Sequence, residues 1–142
     1  ELAHDYAYEA AMIDLRDLHH NSRDGLHMAS LAGAWIALVS GFGGLRDHGG
    51  NLLFDPALPT WITRLAFSIR WRGSRLRVSF DHNEATYSMH DGDEGEIAFH
   101  HDGEGVVVKA GEPVTMSIKT RHPLLPTPPQ PVGREPAKRH AG

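Results

Sequence analysis

The residue with the most chemistry gathered around it is His27, in the stretch RDGLHMASLAGAW at 23–35. Gly25 can take a positive φ just before it, and Asp24 or Ser22 is placed to cap a helix that starts near it. Backbone amides at a helix start point outward at the positive end of the helix dipole, so a histidine there stands beside a ready anion site. Imidazole Nε2–H together with free backbone N–H groups suits phosphate or carboxylate. The same position also suits a buried histidine satisfied by a local carbonyl, and the residues alone leave both readings open.

Other groups offer less. Asp14 and Asp17 lie one helical turn apart and mimic a carboxylate pair, but side chains so spaced on one helix project into solvent or cap local groups. Glu9 reads the same way. His19, His20, Asp24 and His27 match neither H-E-x-x-H nor a closed zinc pattern, so no metal site is expected there. His82, His90, His100 and His101 invite comparison with a metal-bearing β-barrel. Adjacent histidines on a strand point to opposite faces, however, and no H-x-H pattern is present, so a solvated, loop-facing set is expected. Trp61 and Trp71 are candidates for stacking on sugar, which would make a carbohydrate-binding module. Trp71 alternates with core residues and is expected to pack; Trp61, after Pro59, is the freer ring.

These residues need elements to hold them. Residues 4–19 carry Tyr8, Met12, Leu15 and Leu18 at helical spacing, widened by Tyr6, Ala10 and Ile13, and predict a largely buried helix. HNSRDG then breaks the pattern. A second helix is expected from Met28 to Ser40, closed by the glycines of SGFGG. Small residues at Ala29, Ser30, Ala32, Gly33, Ala34 and Ala37 allow close approach of other backbones. Beyond LRDHGG the period changes to two. NLLFDPALP is a short apolar run closed by prolines, and RLAFSIRW alternates Leu65, Phe67, Ile69 and Trp71 against polar neighbours. RGSR is a hairpin-type turn, and LRVSF, ATYSM, EIAFHH, VVVKA and VTMSIKT are further strands, together a small antiparallel β-sandwich. From His122 onward the chain is Pro-rich with a basic end, which predicts a disordered tail.

Composition narrows the function classes. The chain has 142 residues, a net charge of −4, 40% hydrophobic residues and no cysteine, so it has neither a disulfide framework nor a thiolate metal site. No Lys/Arg-rich face appears outside the tail, which argues against nucleic acid. The apolar run from Met28 to Leu45 is rich in Ala, Gly and Ser and lacks basic flanks, so no membrane span is expected. Between Asp81 and Glu104 there are eight acids and no Lys or Arg, whereas residues 64–77 are densely basic. Cross-strand ion pairs between these segments are the expectation. The N-terminus has neither an initiator Met nor a signal pattern, and the expectation is a fragment that begins within a longer, cytoplasmic protein.

Two consecutive stretches, DLRDLHHNSRDGLHMASLAGAWIALVSGFGGLRDHGG and LLFDPALPTWITRLAFSIRWRGSRLRV, resemble glycoside hydrolase family 65, which includes the maltose, trehalose and kojibiose phosphorylases. The first is similar to the end of that family's catalytic domain. The second is similar to its small C-terminal β-domain, with L-x-F-x-P-x-L-P and R-G-x-x-L-x-V. The resemblance spans roughly residues 1–110 and implies an α-then-β chain: terminal helices of an (α/α)6 barrel at 1–47, a β-sandwich at 48–120 and the tail at 121–142. It also implies an inverting reaction in which phosphate attacks an α-linked glucose disaccharide and yields β-glucose 1-phosphate. His27 matches the histidine of the family's G-L-H-x-A-S segment, which contributes to the phosphate site, and Ser30 falls in the same segment with a supporting role. The general acid and the sugar-binding aromatics lie upstream in that family, so this fragment alone is expected to be inactive. No cofactor is implied beyond inorganic phosphate as co-substrate, and a homodimer is the candidate assembly. A hydrolase of the same family, with water in place of phosphate, is the alternative, as is a non-catalytic carbohydrate-binding module. Retention of His27 and GFGGLRD favours the phosphorylase.

Overall fold

The computed structural model describes residues 1–17, 20, 22–122 and 125–136. The chain divides into two compact units, one of residues 1–38 with 122–142 and one of residues 39–121.

The first unit holds α1 (Leu2–Met12) and α2 (Met28–Ile36), which contact each other. α1 is shorter than its apolar spacing predicts. It ends at Met12, and residues 13–17 form turns. Asp14 and Asp17 are poor helix formers, and Asp17 takes a positive φ of 46°. No residue of α1 is buried, contrary to the expectation of a largely buried helix, and Leu15 is exposed; Leu18 and His19 lie outside the described residues. In α2 only Ala34 is buried, while Met28, Leu31, Trp35 and Ile36 are exposed. The small residues that make α2 approachable thus leave an apolar face uncovered within this unit. The described part of the Pro-rich segment meets α1: the Tyr6 hydroxyl donates to Gln130 Oε1 at 2.6 Å, with the Arg134 carbonyl 3.0 Å away.

The helical run continues past α2 as a wide π-type turn, Ala37–Phe42, rather than as α-helix to Ser40. It closes where the glycines were expected to act. Gly44 has φ 63°, and the Leu45 N–H returns to the Val39 carbonyl at 3.2 Å.

The second unit is two four-stranded sheets. Its strands are β1 (Arg46–His48), β2 (Asn51–Phe54), β3 (Leu65–Trp71), β4 (Ser74–Phe80), β5 (Glu84–Met89), β6 (Glu96–His101), β7 (Glu104–Lys109) and β8 (Val114–Ser117). One sheet runs β1-β2-β6-β7 and the other β3-β4-β5-β8. Period-two sequences produce this layout by sending alternate side chains inward: Leu76, Val78 and Phe80 from β4, Ala85 and Tyr87 from β5, Ile97 and Phe99 from β6, and Val106 and Val108 from β7 form the core with Leu52 and Phe54. Arg72-Gly73 and Asp102-Gly103 join their strands through two-residue turns in which both residues have positive φ. One pairing departs from the antiparallel expectation. β2 lies parallel to β6, with Leu53 opposite His100 and Phe54 opposite His101. β1 is a strand the sequence reading lacks, because a three-residue strand exposed throughout leaves no apolar alternation to read.

Candidate anion site at the start of the second helix

α2 begins at His27, its N-cap, and no side chain caps the helix from that position. The expected cap from Asp24 does not form, since Asp24 sits in a short 3-10 turn, Ser22–Asp24, with its carboxylate 3.8 Å from Arg23 Nε. Gly25 supplies the bend, with φ 128° and open space around it, so the backbone conformation rather than crowding asks for glycine. Asp14 organises the site. Its Oδ2 accepts the His27 backbone N–H at 2.8 Å, and its Oδ1 lies 2.5 Å from His27 Nδ1. The hydrogen bond from the His27 ring holds the Asp14 carboxyl below the usual carboxylate range; burial opposes this, and the His27 backbone N–H adds to it.

The consequence for His27 is orientation. A carboxylate on Nδ1 makes that nitrogen the donor and fixes which edge of the ring turns away from Asp14. The Asp14 side chain is nearly covered, at 7% exposure, whereas His27 keeps 32%. The histidine is therefore held by a carboxylate, and it stays partly exposed. In the first turn of α2, the Met28 N–H turns back to the Leu26 carbonyl, and the Ser30 and Leu31 N–H groups bond the His27 carbonyl. Among the described residues that leaves the Ala29 N–H as the outward donor. Ser30 is half-buried one turn along the same helix.

Asp14 is the residue that reasoning from the sequence undervalued. Read with Asp17 it is a solvent-facing or capping group; in the fold it crosses a turn to a histidine thirteen positions away. Asp17 lies 3.8 Å from His20 Nδ1. No group of three His, Asp or Glu among the described residues could hold a metal ion.

In the β unit, His82, His90 and His100 are exposed, as a solvated set requires, but His101 is not. It is 1% exposed, because strand alternation sends it inward when His100 faces out. Its Nδ1 meets the Tyr87 hydroxyl at 2.7 Å, and Nε2 lies 3.1 Å from the Ser117 carbonyl. Nε2–H therefore donates to Ser117, and Tyr87 donates to Nδ1. Burial pushes the Tyr87 phenol well above its ordinary value, which keeps the hydroxyl proton in place. Among the described residues no ion pair joins the basic strands to the acidic segment, contrary to expectation. β4 lies against β5 with Arg77 opposite Ser88, because the acids at Asp91, Asp93 and Glu94 fall in a turn instead of on the strand. Trp71 packs against the core and Trp61 is 51% exposed, with no second exposed aromatic among the described residues of this unit to extend a stacking platform.

Residues 1–36 match the family model described as glycosyl hydrolase family 65 central catalytic domain, and residues 45–108 match that described as glycosyl hydrolase family 65, C-terminal domain. A Mycobacterium leprae protein described as an uncharacterized glycosyl hydrolase is 61% identical over 139 residues, which is 98% of this chain and 18% of that protein. The alpha,alpha-trehalose phosphorylase of Thermoanaerobacter brockii is 36% identical over 97 residues, covering 68% of this chain and 12% of the enzyme. A solved structure described as a putative kojibiose phosphorylase from human microbiome shares the fold, with a TM-score of 0.74 at 22% identity over 82% of this chain and 17% of the other. The chain thus spans less than a fifth of the length of these relatives. No helix among the described residues is long and apolar enough to cross a membrane.

Proposed function

Since the chain belongs to glycosyl hydrolase family 65, we propose that it is the C-terminal part of an inverting phosphorylase that releases β-glucose 1-phosphate from an α-linked glucose disaccharide. His27 and Ser30 act on the phosphate side. The observation that carries this reading is the Asp14–His27 pair. With Nδ1 held by Asp14, the ring donates Nε2–H to a phosphate oxygen when it carries its second proton. The Ala29 N–H and the Ser30 hydroxyl add donors on the same turn, at the positive end of α2.

In an inverting displacement the nucleophile attacks from one face while an acid protonates the departing oxygen on the other. These residues supply binding and orientation for the attacking phosphate. The acid belongs to the remainder of the longer protein, so the 142 residues alone are inactive. The uncovered face of α2, with Met28, Leu31, Trp35 and Ile36, supports such a remainder, which would cover it. Phosphorylase names among the relatives support the reaction class.

A second reading is hydrolysis, favoured by the glycosyl hydrolase description of the Mycobacterium leprae relative. One experiment separates the two: the full-length protein is incubated with trehalose, maltose or kojibiose, with and without inorganic phosphate. Phosphate-dependent release of glucose 1-phosphate is the expected result. Release of glucose alone at an unchanged rate without phosphate would overturn the proposal in favour of hydrolysis.

A further inference from the structure

The outer face of β3-β4-β5 concentrates positive charge. Arg70 of β3 stands directly opposite Arg75 of β4, and Arg77 stands between Ser68 and Ser88. Like charges directly opposite on a sheet are destabilising. Elsewhere in the unit Lys119 Nζ lies 3.5 Å from Glu104 and Arg121 bonds Asp102 and Asp55, while Arg64 bonds the Ser79 hydroxyl and Arg46 and Arg72 bond backbone carbonyls. None of Arg70, Arg75 and Arg77 has a carboxylate ion pair among the described residues.

Beside them is a cavity of about 280 Å³ lined by Arg75, Arg77, Ser68, Ser88 and His90, with Asp91 also on its wall. Arg75 is positioned rather than loose: its backbone N–H bonds Asp93 Oδ2 at 2.6 Å, and its guanidinium lies 2.8 Å from His90 Nδ1. Two guanidinium forks and two hydroxyls on a rigid sheet form a donor set for a tetrahedral oxyanion. The Asp91 carboxylate cannot serve an anion and instead accepts from hydroxyl groups. The volume is near the lower limit of ligand pockets, enough for one sugar ring and its phosphate.

We infer that the Arg75–Arg77 cavity of the β unit binds a phosphorylated monosaccharide, with the phosphate on the arginines and Ser68 and Ser88, and sugar hydroxyls toward Asp91. This site is independent of His27. Its test uses the 142-residue chain carrying His27→Ala, so that anion binding at α2 does not contribute. The isotope-labelled protein is titrated with glucose 6-phosphate and, separately, with inorganic phosphate, and amide resonances are followed. Saturable shifts at Ser68, Arg75, Arg77 and Ser88 are expected, with inorganic phosphate binding more weakly at the same residues. Arg75→Gln with Arg77→Gln should weaken binding by about tenfold or more. Arg77→Lys, which keeps the charge and loses the fork, should weaken it less, and Arg72→Gln, whose guanidinium bonds the Gly50 carbonyl, should leave it unchanged. No saturable shift at these residues, or binding indifferent to the Arg75 and Arg77 substitutions in a folded variant, would overturn the assignment. Inorganic phosphate binding as tightly as glucose 6-phosphate would overturn its sugar component.

Discussion

Across thirteen positions of chain, the Asp14 carboxylate holds His27 twice, by its backbone N–H at 2.8 Å and by its ring Nδ1 at 2.5 Å. A single acid thereby fixes both the start of α2 and the ring of the residue that starts it.

Replacing Asp14 by Asn keeps the size but removes the charge and the fixed tautomer. In the full-length protein Asp14→Asn should raise the KM for phosphate on the order of tenfold or more, and His27→Ala should raise it further. Combining the two should add little to His27→Ala alone, because Asp14 acts through the ring. Initial rates across a phosphate series measure this; an additive double variant would assign Asp14 a separate role.

Tyr87→Phe removes the donor to a buried imidazole nitrogen while leaving the ring packing against Phe54 and Phe99 intact. A loss of about 1–3 kcal/mol is expected in urea unfolding of the chain. His101→Leu with Tyr87→Phe should lose less than the sum of the two single changes, since neither group then lacks a partner.

Acid stability should depend on Asp102. Burial pushes its carboxyl up, but the Lys119 backbone N–H and the Arg121 guanidinium outweigh this and hold it below the usual carboxylate range. A carboxyl lowered in the folded state stabilises above its unfolded value, about 4, and that contribution disappears as pH falls through the folded value. Unfolding free energy should therefore drop steeply below about pH 4, and Asp102→Asn should make that limb shallower. A limb of the same slope in the variant would assign the acid sensitivity to other groups.

Gly44 and Gly49 have nearly the same φ, 63° and 60°. A Cβ at Gly44 would fall 2.2 Å from the Asp55 carbonyl oxygen, whereas one at Gly49 would meet nothing within 4 Å. Both alanine variants bear the left-handed backbone cost of about 1–2 kcal/mol. Gly44→Ala should exceed Gly49→Ala by at least about 2 kcal/mol, readable as separate midpoints in thermal or urea unfolding.

Trp35 is 49% exposed on α2. Trp35→Ala should cost about 1 kcal/mol or less in the 142-residue chain and about 3 kcal/mol or more in the full-length protein. Equal costs in the two would mean that the longer protein leaves this face open.

Period-two alternation made six of the eight strands legible, with Leu65, Phe67, Ile69 and Trp71 turned inward as read. The prolines closing β2 were an equally local signal. Partner choice was not legible, because nothing in NLLF says whether its neighbour runs parallel or antiparallel. His27 was visible as a chemical candidate through Gly25 and the helix start, both local features. Asp14 was not, since its role depends on a turn through residues whose spacing reads as continued helix. His101 went wrong for a similar reason: a turn sequence follows it directly, and only pairing with β7 shows that the strand continues to its last residue.

The parallel pairing of β2 with β6 also imposes an order of events. β3–β4 and β6–β7 are joined by two-residue turns and can close on their own within microseconds. β2 has to wait for a neighbour more than forty residues further along the chain. During synthesis, its free edge is therefore displayed until β6 has left the ribosome, and this interval is when NLLF is open to pairing with another nascent chain.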